Sequence, residues 1–147
     1  MPTYQVFATQ GMLEAEEKQA ISQAITAGHM AQTGAPRYYI QVIFQETATE
    51  NRYIGGHPYP ESIWVRGDVR ERTPEADQAL MLELVERIAA ACPKLDKNMI
   101  WIDLCAVQPT DILKFCTVFP PAGEEATWYA ALPAEAKAAI EKVLKNI

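Results

Sequence analysis

Two short β-α-β patterns follow one another along this chain, and that repetition limits the fold more than any other feature. Thr3 to Ala8 (TYQVFA) reads as a strand. A helix is expected from Leu13 to about Thr33, with Ile21, Ile25 and His29 at fourfold spacing on one stripe. Gly34 supplies a stop, and Pro36 follows as helix stops often require. Tyr38 to Gln45 (YYIQVIFQ), rich in β-branched and aromatic side chains, is a second strand. Joined through a helix, the two strands should lie parallel with a right-handed crossover.

The second unit begins after a looser stretch, Glu46 to Pro60, where Gly55-Gly56 and Pro58-Tyr59-Pro60 form turns. Ser62 to Gly67 (SIWVRG) is the next strand. Thr73-Pro74-Glu75 opens a helix with a capping hydroxyl, a proline at the first helical position and an acid in the first turn. Its stripe is Ala76, Leu80, Leu84 and Ile88, with Leu82, Val85 and Ala89 nearby. Pro93 ends it, and Met99 to Val107 (MIWIDLCAV) is the fourth strand. The expected fold is α/β (α+β), a single domain. Residues 1–45 and 61–107 form one four-stranded sheet with two helices on one face. In the tail, residues 108–147, Pro120-Pro121 breaks the chain and Pro133 to Ile147 reads as an amphipathic helix with Ala136, Ile140, Val143 and Leu144 inward. Such a tail should cover a sheet edge or a neighbouring subunit.

At 147 residues the chain suits one domain with a real core. A net charge of −6 gives no electrostatic reason to approach nucleic acid or an anionic membrane. An anionic substrate must therefore be drawn by a local arginine cluster. Three cysteines, Cys92, Cys105 and Cys116, lack CxxC spacing, so neither a disulfide framework nor a zinc site is expected and they read as buried apolar fillers. Neither a signal peptide nor an apolar run near ~18 residues is seen, and the cytoplasm is the expected compartment.

The second residue is proline. Initiator methionine is usually removed before so small a residue, and the chain would then start on a free secondary amine. A terminal amine titrates near neutrality, and an apolar site or a nearby guanidinium favours its neutral form. It can take and return protons at physiological pH. If Met1 stays, Pro2 is an ordinary tertiary amide with no base to offer. Arg70 and Arg72 alternate by two, so in extended backbone they project to one side and could fork a carboxylate. Arg66, four residues before Arg70, is a possible third donor. The plainer readings are a solvated turn in which Arg66, Arg70 and Arg72 pair with Asp68, Glu71 and Glu75, and a His29 that only complements a helix C-terminus. His57 reads as surface decoration, and Trp64, Trp101 and Trp128 as core or interface.

Taken in order, Pro2, the doubled β-α-β unit, Ala24-Ile25-Thr26-Ala27-Gly28-His29 and Thr33-Gly34 resemble the tautomerase superfamily. Phe44-Gln45-Glu46, Asn51 through Gly55-Gly56, Arg70-Glu71, Ile100-Trp101, Pro120 to Gly123 and Trp128 extend the likeness over nearly the whole chain. The chain is most similar to the cis-3-chloroacrylic acid dehalogenase group. The resemblance implies a macrophage migration inhibitory factor-like fold and a cofactor-independent homotrimer with Pro2 at the floor of a pocket near a subunit boundary. It implies a catalytic set of Pro2, His29, Arg70 and Arg72. The arginines grip a small carboxylate substrate, and His29 binds or polarises it.

Two departures stand out. Where dehalogenases of this group carry a water-activating glutamate and tyrosine, this chain has Lys114 and Asp103. Lys114 is cationic, and Asp103 is a possible substrate-binding group. A one-residue gap near Gln108-Pro109 would instead bring Asp111 to the matching place. Enol–keto tautomerisation needs only a proton shuttle and a carboxylate clamp, and those parts are present. The alternatives are hydration, decarboxylation or weak dehalogenation with Pro2 as general acid, and a non-catalytic binding or signalling trimer.

Overall fold

The computed structural model describes residues 2–146. The first repeat consists of β1 (Thr3–Thr9), α1 (Ala15–Thr33), β2 (Gln41–Thr47) and a hairpin of β3 (Tyr53–Ile54) and β4 (His57–Pro58). The second consists of β5 (Ile63–Arg70), α2 (Pro74–Ala91), β6 (Ile100–Val107) and a hairpin of β7 (Leu113–Lys114) and β8 (Thr117–Val118). Two helices close the chain, α3 (Glu125–Ala131) and α4 (Ala134–Leu144). The halves match at a constant offset of 60 positions. The 3-10 turn Arg37–Tyr39 corresponds to Lys97–Met99, Thr49–Asn51 to Pro109–Asp111, and each hairpin to the other.

The sheet order is β2-β1-β5-β6. β1 pairs with β2 and β5 with β6 in parallel, as two crossovers dictate, and the halves join through the antiparallel β1–β5 pair. Alternation then fixes the faces. Tyr4, Val6, Ala8, Ile63, Val65 and Val69 point to the helices, where they meet Ile21, Ile25, Leu80, Leu84 and Ile88. The opposite face carries Phe7 stacked on Trp64, with centroids 4.7 Å apart, and a half-exposed Trp101.

Helix starts follow local chemistry. Thr73 caps α2 by accepting a hydrogen bond from the Ala76 N–H, with Pro74 behind it. Glu14 and Glu17 form a reciprocal capping box on α1, so that helix starts at Ala15 rather than Leu13. Tyr38 and Tyr39, expected in β2, instead lie in a 3-10 turn that drives Tyr39 into a small cluster with Phe119 and Trp128. β5 runs on to Arg70, beyond the expected end at Gly67. In α2 Leu82 is exposed, and in α4 only Ala136 and Ile140 are buried while Val143 and Leu144 face outward. Of the cysteines only Cys92 is buried, and Cys116 sits exposed in a hairpin turn. The predicted end of the tail helix at Ile147 lies outside the described residues. Among the described residues, no helix is long and apolar enough to cross a membrane.

Candidate active site

At the edge where β1 begins and β5 ends, four separate segments enclose a small recess. Its lining is Pro2, then His29, Thr33 and Ala35 from the end of α1, then Arg70 and Arg72, then Phe119 from the tail. The wall at α1 is shaped by its cap. Gly34 adopts φ 70°, the left-handed conformation that ends helices. The Thr33 hydroxyl donates to the His29 carbonyl at 2.8 Å and accepts the Ala35 N–H at 3.1 Å. Pro2 itself is buried, and its carbonyl accepts the Gln41 N–H.

His29 is held by Tyr4. The tyrosine hydroxyl lies 2.8 Å from His29 Nδ1, and the rings meet edge-on with centroids 5.8 Å apart. Burial raises the Tyr4 hydroxyl's pKa and keeps it protonated, so it pairs with Nδ1 as donor when the ring proton is on Nε2 and as acceptor when it is on Nδ1. Burial first, then the charges of Arg72 and Arg70 among others, push the His29 pKa down to about 3. The shift favours a neutral imidazole over a cation complementing the helix C-terminus. Tyr4 has room because its cross-strand neighbour is glycine: a Cβ on Gly67 would sit 2.6 Å from Tyr4 Cε1.

Both arginines are already engaged. Arg70 donates from Nη2 to Glu125 Oε1 at 2.8 Å and from Nη1 to the Pro120 carbonyl at 3.3 Å. Arg72 donates from Nη2 to Asp77 Oδ1 at 2.7 Å, and its buried Nε has no partner among the described residues.

The remaining site candidates lie elsewhere. Arg66 is on the open face of β5, ion-paired with Asp68 at 3.3 Å. It is four residues from Arg70, roughly 13 Å along a strand. Asp103 is Arg66's register partner on β6 and accepts the Trp64 Nε1–H at 2.8 Å. Neither lines the recess. Lys114 lies on β7 with Nζ 3.4 Å from Thr3 Oγ1, its pKa lowered by burial. Asp111 and His57 are exposed. Met1, whose removal would free the Pro2 amine, lies outside the described residues.

Tyr4, Asp77, Phe119 and Glu125 were not singled out from sequence. Only Tyr4 had a readable signal, since a residue two beyond Pro2 on a strand shares its face. Among the described residues, no group of three or more His, Cys, Asp or Glu is clustered to hold a metal.

The second repeat has the equivalent cleft at the other end of the sheet, lined by Met12, Tyr59, Glu61, Lys94, Leu95 and Asp96. By the 60-residue offset Met12 stands where Arg72 stands, Tyr59 where Phe119 stands and Leu95 where Ala35 stands. It has no arginine, and Ser62 replaces Pro2. The arginine pair belongs to one half only.

Residues 1–131 match the family described as "Putative oxalocrotonate tautomerase enzyme". Among solved structures, the chain is similar to N1, a member of the cis-3-chloroacrylic acid dehalogenase family, at 22% identity and TM-score 0.88, covering 95% of this chain and 99% of that one. A D106A mutant of RhCC from Rhodococcus jostii RHA1 gives 22% identity and TM-score 0.74 over 95% of this chain and 99% of its own. A fused 4-OT, described as an asymmetric trimer, gives 23% identity and TM-score 0.71 over 79% and 94%. No curated protein sequence matches the chain. At these identities the structural likenesses speak for the fold.

Proposed function

The chain belongs to the oxalocrotonate tautomerase-like family of the tautomerase superfamily, and from that premise we propose that it catalyses enol–keto tautomerisation of a small α-keto or enol acid. The observation that carries the reading is the convergence of Pro2, His29, Arg70 and Arg72 on one recess from three separate segments.

In the proposed cycle the neutral amine of Pro2, freed by loss of Met1, takes the enol hydroxyl proton. The oxygen becomes a carbonyl and the neighbouring carbon takes the proton back from the prolinium. Arg70 and Arg72 hold the carboxylate and offset charge developing on the dienolate. His29, neutral and in the tautomer whose Nδ1 accepts the Tyr4 O–H, donates its Nε2–H to the carbonyl oxygen in this cycle and does not compete with Pro2 as a charged acid. Association as a homotrimer is part of the reading. The open sheet face, with Phe7, Trp64 and Trp101, offers apolar surface for it.

The test is ketonisation of phenylenolpyruvate or 2-hydroxymuconate, followed by ultraviolet absorbance, on protein whose Met1 removal is confirmed by intact mass. A rate well above buffer that collapses in Pro2→Ala supports the reading. No rate above buffer from processed protein would sink it.

A further inference from the structure

The recess of a single subunit is small, about 20 Å³, whereas the equivalent cleft in the second repeat has about 460 Å³. The two ends differ in the path of the chain beyond the hairpin. After Tyr59 the chain passes directly into β5, while after Phe119 it turns at Pro120-Pro121 and returns as α3, bringing Glu125 onto Arg70.

We propose that Glu125 is a built-in carboxylate that occupies Arg70 until a substrate carboxylate displaces it, so that this residue sets affinity and selectivity for anionic ligands. This rests on reading the recess as a carboxylate site. The ion pair is well formed yet reachable, with side chains 17% and 26% exposed. Its second oxygen, Oε2, accepts the Gly123 N–H at 2.9 Å, which holds the carboxylate pointing at the arginine. Burial raises the Glu125 pKa, but the hydrogen bond and charge of Arg70 outweigh it, and the group is ionised at neutral pH.

The anchors of the tail are separate from Glu125. Phe119 packs edge-on to Tyr39 at 4.7 Å, and Trp128 donates from Nε1 to the Val118 carbonyl at 2.9 Å. Release of one side chain therefore leaves the tail packed. The guanidinium keeps its place through the Pro120 carbonyl and the Phe119 ring, 5.9 Å away. A dianionic or bidentate ligand competes with Glu125 for Arg70 better than a weak one, which gives the selectivity.

Calorimetric titration of 3-phenylpropionate, an unreactive carboxylate, into wild-type, Glu125→Gln and Glu125→Asp protein tests the proposal, beside ketonisation of phenylenolpyruvate. The dissociation constant should fall about fivefold in Glu125→Gln, the upper range for a partly exposed ion pair. It should fall also in Glu125→Asp, whose shorter side chain does not span the gap. KM should drop by the same factor with kcat unchanged, the signature of uniform binding. Unchanged or weaker binding in whichever variant keeps the wild-type melting temperature overturns the place-holder role. In that case wild-type ketonisation would still stand and the proposed reaction with it. Neither binding nor turnover by the wild type overturns both.

Discussion

Replacing Tyr4 by phenylalanine removes one hydroxyl from the most enclosed part of the site and nothing else. Tyr4 is fully buried and His29 is 4% exposed, so no water replaces the lost 2.8 Å hydrogen bond. The edge-on ring contact at 5.8 Å survives, and with it nearly all the apolar burial. What remains is an unsatisfied Nδ1 in a dry site, which costs about 1–3 kcal/mol. For a domain of this size that lowers the melting temperature by roughly 3–9 °C. Freed from its partner, the imidazole is also no longer held to one tautomer by the Tyr4 hydroxyl. Chemical denaturation reads the first effect, and nitrogen chemical shifts of the ring read the second. A Tyr4→Phe protein with stability within ~0.5 kcal/mol of wild type and unchanged ring nitrogen shifts would refute the claim that Tyr4 sets the state of His29.

The depressed His29 pKa makes acid a destabiliser through this residue. The unfolded chain binds its proton near pH 6.5 and the folded one only near about 3. In between, the unfolded state holds more protons, so stability is complete above about 6.5 and falls as pH drops, by up to about 1.4 kcal/mol per unit. Denaturation of wild type and His29→Gln over about pH 5–6.5 should show the slope only in the wild type; equal slopes contradict it. Gly67→Ala places a Cβ 2.6 Å from Tyr4 Cε1 and 2.8 Å from Leu104 Cδ2, and should cost about 1–3 kcal/mol while shifting the His29 ring resonances. An unperturbed spectrum would show that the close approach is not needed. In the second hairpin, Phe115 and Cys116 take φ 52° and 57°, where the first hairpin uses Gly55 and Gly56. Cys116→Gly should therefore raise stability by about 0.5–1 kcal/mol in urea titration, and a loss would refute strain at this turn.

Much of this was legible in the chain because two independent codes agree there. The β-branched strands and the Thr73-Pro74 cap specify the crossovers locally, and Ile21, Ile25 and His29 mark the buried stripe of α1. Tyr38-Tyr39 misled because aromatic residues favour strands, whereas here burial against Phe119 and Trp128 decides. Arg66 and Arg70 share a strand face, so parity alone could not separate them; distance along β5 does, once its end at Arg70 is known. Glu125 and Phe119 reach the site from more than a hundred residues beyond Pro2, in sequence with no periodicity to announce it. Only the tertiary path of the tail puts Glu125 on Arg70.

The central claim is that the amine of Pro2 moves the proton. It is tested most directly by comparing phenylenolpyruvate ketonisation by two forms of the same chain, one with Met1 removed and one retaining it, each verified by intact mass. The account predicts catalysis from the form that begins at Pro2 and a rate near buffer from the form in which Pro2 nitrogen is an amide. Equal rates from the two forms would contradict it and move the search for the proton-transfer group to another residue.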